Sequence, residues 1–261
     1  PMVIRGARQV GKSHLVRTFG REYFNNIIEV NFEQEAWAED LFAQKKPADT
    51  LAFLEAQYKQ RIIAGQTLLF LDEIQAGPKA LASLRYFREQ SPELHVVAAG
   101  SLLDFVLQDH NFSMPVGRIE YLHLGPMSFE EFLLAIGDEI KSQRLREFCP
   151  GDDFSDALHQ SLMEDFRRYC IIGGMPEAVQ TYVDTNSYLE TQRILEGILA
   201  TYQDDFSKYA GRADHSLLRK VFSRIPLLVG QKIKYANVDP QQRSRKTSDV
   251  MELLELAGLI T

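Results

Sequence analysis

The sequence predicts an α/β domain, a parallel sheet with helices on both faces, continued by a region that is almost entirely helical. Three observations point there. Between residues 2 and 124, short apolar runs of strand length alternate with stretches whose apolar residues recur at helical spacing, and repeated strand–helix–strand units close into a parallel sheet. One run, Leu68-Leu69-Phe70-Leu71, is apolar without interruption, as a strand buried on both faces must be. After Gly125-Pro126 the strand-like runs give way to helical spacing.

Taken in order, residues 2–5 form a short apolar strand and 11–19 a helix. Further strands are expected at 27–32, 68–71, 95–99 and 118–124, with helices at 48–64, 79–90 and 102–107. Beyond residue 126, helices are expected at 128–136, 138–147, 156–170, 176–183, 187–209 and 216–228, with a loop at 149–153. Ser128 and Glu131 make a capping box. Gly173-Gly174-Met175-Pro176-Glu177 is a two-glycine turn with proline at the first helical position, a favourable helix start. Residues 230–261 hold two helical patterns around a polar turn, Gln241-Gln242-Arg243-Ser244-Arg245-Lys246, and end in the strand-like Leu259-Ile260-Thr261. The pattern divides the chain into 1–126, 127–228 and 229–261. It starts almost on its first strand and stops on an apolar run, so a fragment of a longer protein is expected.

Composition narrows the function classes. With 261 residues, 45% hydrophobic and 25% charged, the chain is long enough for a large core and has ordinary globular balance. A net charge of −7 argues against a protein built to coat nucleic acid, while leaving room for a local basic patch. The two cysteines, Cys149 and Cys170, lack CxxC pairing and flanking histidines, so neither a zinc site nor a disulfide framework is expected. Reduced thiols suit a cytoplasmic protein. No apolar run reaches membrane-helix length, and no signal peptide precedes the first motif. The six histidines show no metal-ligand spacing, and GxSxG and GxGxxG are missing from the sequence.

Gly6-Ala7-Arg8-Gln9-Val10-Gly11-Lys12-Ser13 matches GxxxxGK[ST] between an expected strand and an expected helix. Glycines let such a loop turn its N–H groups onto phosphate oxygens, and the helix N-terminus adds partial positive charge. Lys12 is placed to reach β- and γ-phosphates and Ser13 to hold Mg²⁺. The strand at 68–71 ends in Asp72-Glu73. Ligand sites of parallel sheets lie beyond the carboxyl ends of the strands, which makes Asp72 a metal ligand and Glu73 the group that orients and deprotonates a water. The pair favours an ATPase over a small-molecule kinase.

Ser101, after Ala99-Gly100, either touches the γ-phosphate or the attacking water, or caps the helix at 102–107. Arg118 either acts on a neighbouring subunit's γ-phosphate or pairs with Glu120 or Glu131. Lys232 and Lys234, with the basic turn at 241–246, suit a helix-turn-helix contact with DNA through 232–257; packing onto the core is the competing reading.

The motifs at 6–13, 71–75 (Leu-Asp-Glu-Ile-Gln), 99–101, 117–118, 124–133 (Leu-Gly-Pro-Met-Ser-Phe-Glu-Glu-Phe-Leu) and 173–177 occur in an order that resembles prokaryotic AAA+-type, STAND-related P-loop ATPases with a C-terminal domain of unknown function (AAA_14/DUF4143-like). The resemblance covers nearly the whole chain. It implies a P-loop NTPase core at 1–126, an all-α lid at 127–228 and a truncated winged-helix-like segment at 229–261, with no room for the C-terminal domain. It gives Ser101 a sensor role and makes Pro176 the lid proline that meets the nucleotide. The implied nucleotide set is Gly6, Ala7, Arg8, Gln9, Val10, Gly11, Lys12 and Ser13, with His14 next on the helix and Pro176 from the lid. Lys12, Glu73, Ser101 and Arg118 are the implied catalytic groups, Ser13 and Asp72 the metal ligands, and ATP with Mg²⁺ the ligands. The function implied is an ATP-hydrolysing conformational switch; the alternatives are a non-hydrolysing nucleotide-binding regulatory module and a DNA-directed ATPase, with self-association through Arg118.

Overall fold

A computed structural model describes residues 1–101, 103, 117–149, 151, 155–209, 215–238 and 244–260. It divides into two compact units, Pro1–Leu124 with Ser248–Thr261, and Gly125–Thr247. The segment 229–261 is therefore shared between the two units.

The first unit runs β1 (Met2–Arg5), α1 (Lys12–Tyr23), β2 (Asn26–Asn31), α2 (Trp37–Ala43), α3 (Pro47–Tyr58), β3 (Thr67–Asp72), α4 (Pro78–Gln90), β4 (His95–Ala99) and β5 (Glu120–His123). The five strands are parallel, in the order β2-β3-β4-β1-β5. Side-chain alternation gives each face its own core. Val3, Ile28, Val30, Leu69, Leu71, Val96 and Ala98 pack with Phe42, Leu54, Leu84 and Phe87 from α2, α3 and α4. Ile4, Leu68, Phe70 and Ala99 pack with Val16 of α1 on the other face. Every residue of β3 is buried, which accounts for its uninterrupted apolar run. Each buried Leu or Phe there stabilises the fold by about 1.5–3 kcal/mol.

Three local departures from the sequence expectation have physical causes. Helix α2 escapes a periodicity search because it is only 7 residues long, shorter than the window over which a helical period is read, although Trp37 and Leu41 join Ala38 and Phe42 on the core. Helix α3 stops at Tyr58 because Lys59 turns left-handed (φ 53); Ile62 still packs on the core, but from a loop whose N–H donates to Glu55 Oε1 at 2.8 Å. Leu259 and Ile260 are not a strand. Gly258 (φ +70) and Leu259 instead donate to the carbonyls of Glu255 and Leu254 at the end of Ser244–Leu256, a helix-closing motif that accepts an apolar residue in that place. Apart from Leu103, which is buried in the core, the expected helix at 102–107 lies outside the described residues, as do residues 150, 152–154 and 241–243.

The second unit holds α5 (Phe129–Ala135), α6 (Glu139–Glu147), α7 (Asp156–Ile172), α8 (Pro176–Thr185), α9 (Tyr188–Tyr209), α10 (His215–Arg224), a 3₁₀ turn at Ile225–Leu228, α11 (Tyr235–Val238) and the start of α12 (Ser244–Leu256). The Ser128–Glu131 capping box is formed in both directions. Phe132, Ile172, Val179 and Tyr182 make a local core. The two-glycine turn is a packing device within this unit: a Cβ on Gly174 would stand 2.1 Å from the Met127 carbonyl oxygen, and Met127 N–H donates to Gly174 O at 2.7 Å. Buried Asp165 is paired by Lys141 at 2.6 Å and Arg168 at 3.0 Å, which offsets the cost of taking its charge out of water. Among the described residues no helix is long and apolar enough to cross a membrane.

Leu69→Ala, in the centre of β3, is expected to destabilise the sheet unit by about 2–5 kcal/mol, read from urea unfolding. Leu134→Ala, half exposed on α5, should stay within about 0.5 kcal/mol of wild type.

Candidate functional site

β1 ends at Arg5, and Leu124 N–H donates to Arg5 O at 2.8 Å, fixing where the next loop begins. Gly6 has φ 144, and a Cβ there would stand 2.0 Å from Leu124 O, so no other residue fits without moving the strand end. The loop turns through Gln9 (φ 64) and Gly11 (φ 94) into α1, whose first turn has no side-chain cap. The N–H groups at that end are therefore open to a ligand, and an anion is the ligand they favour.

Lys12 is buried, and its Nζ donates to Gly6 O at 2.9 Å and Ala7 O at 2.6 Å. Burial lowers its pKa to about 8; Glu73 and Asp72 oppose the shift and Arg8 adds to it. The loop thus stores a poorly solvated ammonium against its own carbonyls.

The carboxyl end of β3 meets the start of α1. Ser13 Oγ donates to Asp72 Oδ1 at 2.8 Å, across 59 residues of chain. Burial raises the Asp72 pKa; the Ser13 hydrogen bond and Arg17 pull it back, while Glu73 and Glu29 push it further up. Glu73 has a left-handed backbone (φ 51), uncommon for a residue with a Cβ and often a feature of functional sites. Its Oε2 accepts a hydrogen bond from Gln75 Nε2 at 2.5 Å.

β4 lies between β1 and β3 in the sheet, and Gly100 N–H donates to Ile4 O at 3.3 Å. Ser101, which is buried, therefore emerges between the loop and the acidic pair. The fold thus brings together residues 6–13, Asp72, Glu73 and Ser101. His14 is exposed on α1, its Nε2 3.5 Å from Thr18 Oγ1.

One expected residue stands elsewhere in the first unit. Arg118 precedes β5 by two residues, and β5 starts opposite Met2, so Arg118 lies at the amino ends of the strands. There its Nε donates to Glu89 Oε1 at 3.2 Å, a partner other than the Glu120 or Glu131 considered from sequence. Pro176 opens α8 in the second unit. A cavity of about 760 Å³, lined by Met2, Phe19, Val97, Ile119 and Leu122 among others, also belongs to the Arg118 end of the sheet and not to the loop.

Three site residues were missed. Arg17 follows Ser13 by four positions, the spacing that puts both on one helix face, and that signal was readable. Gln75 stood in the run 71–75 but was given no role, and Glu29 carried no signal, because nothing in the sequence says which face of β2 meets α1.

The donor set suits a hard divalent cation. Ser13 and Asp72 offer oxygens side by side, and a small ion such as Mg²⁺ commonly takes one or two protein oxygens and completes its shell from phosphates and water. Among the described residues no group of three or more His, Cys, Asp or Glu could hold a metal alone.

Comparison with known proteins gives a concordant result. Residues 1–133 match a family described as an AAA domain, and residues 163–261 match one described as a domain of unknown function (DUF8612). Among solved structures, the Walker-type ATPase PABY2304 of Pyrococcus abyssi superposes with a TM-score of 0.56 at 17% identity, over 98% of this chain and 84% of that one. The RuvB Holliday junction branch migration motor of Thermotoga maritima gives 0.43 at 16%, over 100% and 80%. The ORC1 protein of Aeropyrum pernix in complex with DNA gives 0.34 at 13%, over 98% and 77%. The first likeness is one of fold; the other two are too distant to carry an argument. No curated protein sequence matches the chain.

The Lys12 shift has a testable sign. Its folded pKa, about 8, lies below its ordinary 10.5, so the unfolded chain binds more protons in between and folding stability rises with pH there. Wild-type stability measured against Lys12→Met should be level below pH 8 and climb between 8 and 10.5. A flat difference across that window would contradict a buried, charged lysine.

Proposed function

The chain belongs to the AAA-domain family of P-loop ATPases, and from that membership we propose that it binds ATP with Mg²⁺ at residues 6–13 and hydrolyses it as a nucleotide-dependent conformational switch. The observation that carries the reading is the Ser13–Asp72 contact at 2.8 Å, which joins the loop's hydroxyl to the acidic end of β3.

The roles follow from the positions. The uncapped N–H groups of α1 receive phosphate oxygens. Lys12, on leaving the Gly6 and Ala7 carbonyls, donates to the β- and γ-phosphates, where the phosphate charge restores its full basicity. Ser13 and Asp72 would hold Mg²⁺, which when bound neutralises charge on the phosphate oxygens. Glu73 accepts the proton of the attacking water once Gln75 releases it. Ser101 donates to the γ-phosphate or to that water. His14 lies beside the phosphate-binding turn. Pro176, as the first residue of a lid helix, closes over the nucleotide, and Arg118 serves a neighbouring copy's γ-phosphate in a self-associated form. The exposed Lys232, Lys234, Arg245 and Lys246 are the groups through which 232–257 would contact DNA.

One observation favours a second reading. The Glu73 carboxylate is engaged by Gln75, which suits a module that holds nucleotide and hydrolyses it negligibly. Turnover and nucleotide binding of wild type, Lys12→Ala and Glu73→Gln separate the two. The hydrolytic reading expects Lys12→Ala to lose binding, and Glu73→Gln to bind within about twofold of wild type while turnover falls by about 10²-fold or more. Tight binding by wild type with equal, negligible turnover in Glu73→Gln would replace it with the second reading.

A further inference from the structure

We propose that Arg17, held by Glu29, is a positioning residue that fixes the Asp72 carboxylate for the divalent cation. The inference rests on the nucleotide-site reading above and adds two residues to it.

Ser13 and Arg17 leave one face of α1 four residues apart and take one oxygen each of Asp72. Ser13 Oγ donates to Oδ1 at 2.8 Å and Arg17 Nη2 to Oδ2 at 3.3 Å. The terminal torsion of an aspartate is broad, so a carboxylate with one partner swings, and one gripped at both oxygens does not. Asp72 is 4% exposed, and water therefore does little to hold it in place of either partner.

Glu29 explains why a guanidinium can do this without cancelling the metal site. Arg17 Nε donates to Glu29 Oε2 at 2.9 Å and Nη2 to Oε1 at 2.6 Å, a two-point grip that a planar fork makes and an ammonium does not. The parallel register pairs Glu29 with Phe70 and Asn31 with Asp72, which sets Glu29 and Asp72 on the same face of the sheet, towards α1. The Arg17–Glu29 pair is neutral overall, so it gives Asp72 a directed hydrogen bond while leaving that carboxylate's charge for a cation. An arginine without Glu29 would neutralise Asp72 and repel the ion.

The test is the affinity of the full chain for a fluorescent ATP analogue, measured in excess Mg²⁺ and again in EDTA, for wild type, Arg17→Ala, Arg17→Lys and Glu29→Gln. Arg17→Ala should keep its EDTA affinity within about twofold and lose about tenfold of the Mg²⁺ enhancement, the scale at which partners of metal ligands act. Arg17→Lys should rescue only a minor part, and Glu29→Gln should lose the enhancement as well. Should Arg17→Ala fail to fold, the other two variants decide the matter by the same ratio. A Mg²⁺-to-EDTA ratio equal to wild type, or an equal loss in both buffers, overturns the positioning role. Wild type that binds no nucleotide overturns the site reading and this inference together; wild type that binds without Mg²⁺ enhancement overturns this inference and the metal-holding role of Ser13 and Asp72, while nucleotide binding stands.

Discussion

Ser13 and Asp72 touch because β1 and β3 belong to one parallel sheet and end at the same edge. Strand β3, buried along its whole length between two helical layers, has no freedom to shift its end. Strand β1 hands the chain to a loop whose first glycine lies against the β5 exit at Leu124, so the start of α1 is equally fixed. β4 sits between them and delivers Ser101 into the gap. Hydrophobic burial thus determines the position of polar groups that contribute little to stability themselves, and the site's geometry is inherited from the core.

The electrostatics of that edge are unbalanced in an instructive way. Lys12 is desolvated and pushed towards neutrality, Asp72 is desolvated and pushed in the same sense, and each is only partly compensated: by loop carbonyls for one, by a hydroxyl and a guanidinium shared with Glu29 for the other. Burying charged groups without full compensation costs stability. A ligand that brings phosphate to the lysine and a cation to the aspartate relieves both costs at once. The groups that destabilise the free protein are those a nucleotide with its metal would satisfy, which is how a binding site differs from a structural ion pair such as Lys141–Asp165.

Much of this is legible in the sequence alone. The phosphate loop and the Asp72-Glu73 strand end announced themselves because chemistry restricts both residue type and spacing there, and β3 was legible because full burial removes alternation. The order of the strands was not. No local pattern tells β4 to insert between β1 and β3, yet that insertion decides where Ser101 emerges; Arg118 stands at the opposite end of the sheet because it precedes the parallel strand β5. Glu29 was hidden for a related reason, since its value lies in facing α1 across a strand pairing. Gly173-Gly174 carried a signal that was readable but ambiguous: the close approach of Gly174 to Met127 accounts for the glycine without any ligand.

Hydrogen–deuterium exchange of the whole chain, with and without saturating ATP and Mg²⁺, tests the central claim most directly. The account predicts slowed exchange concentrated in residues 6–17 and 72–75, where open N–H groups and a left-handed turn await a partner. Slowed exchange confined to the opposite end of the sheet, around Val97, Ile119 and Leu122, or no change at saturating nucleotide, would contradict it.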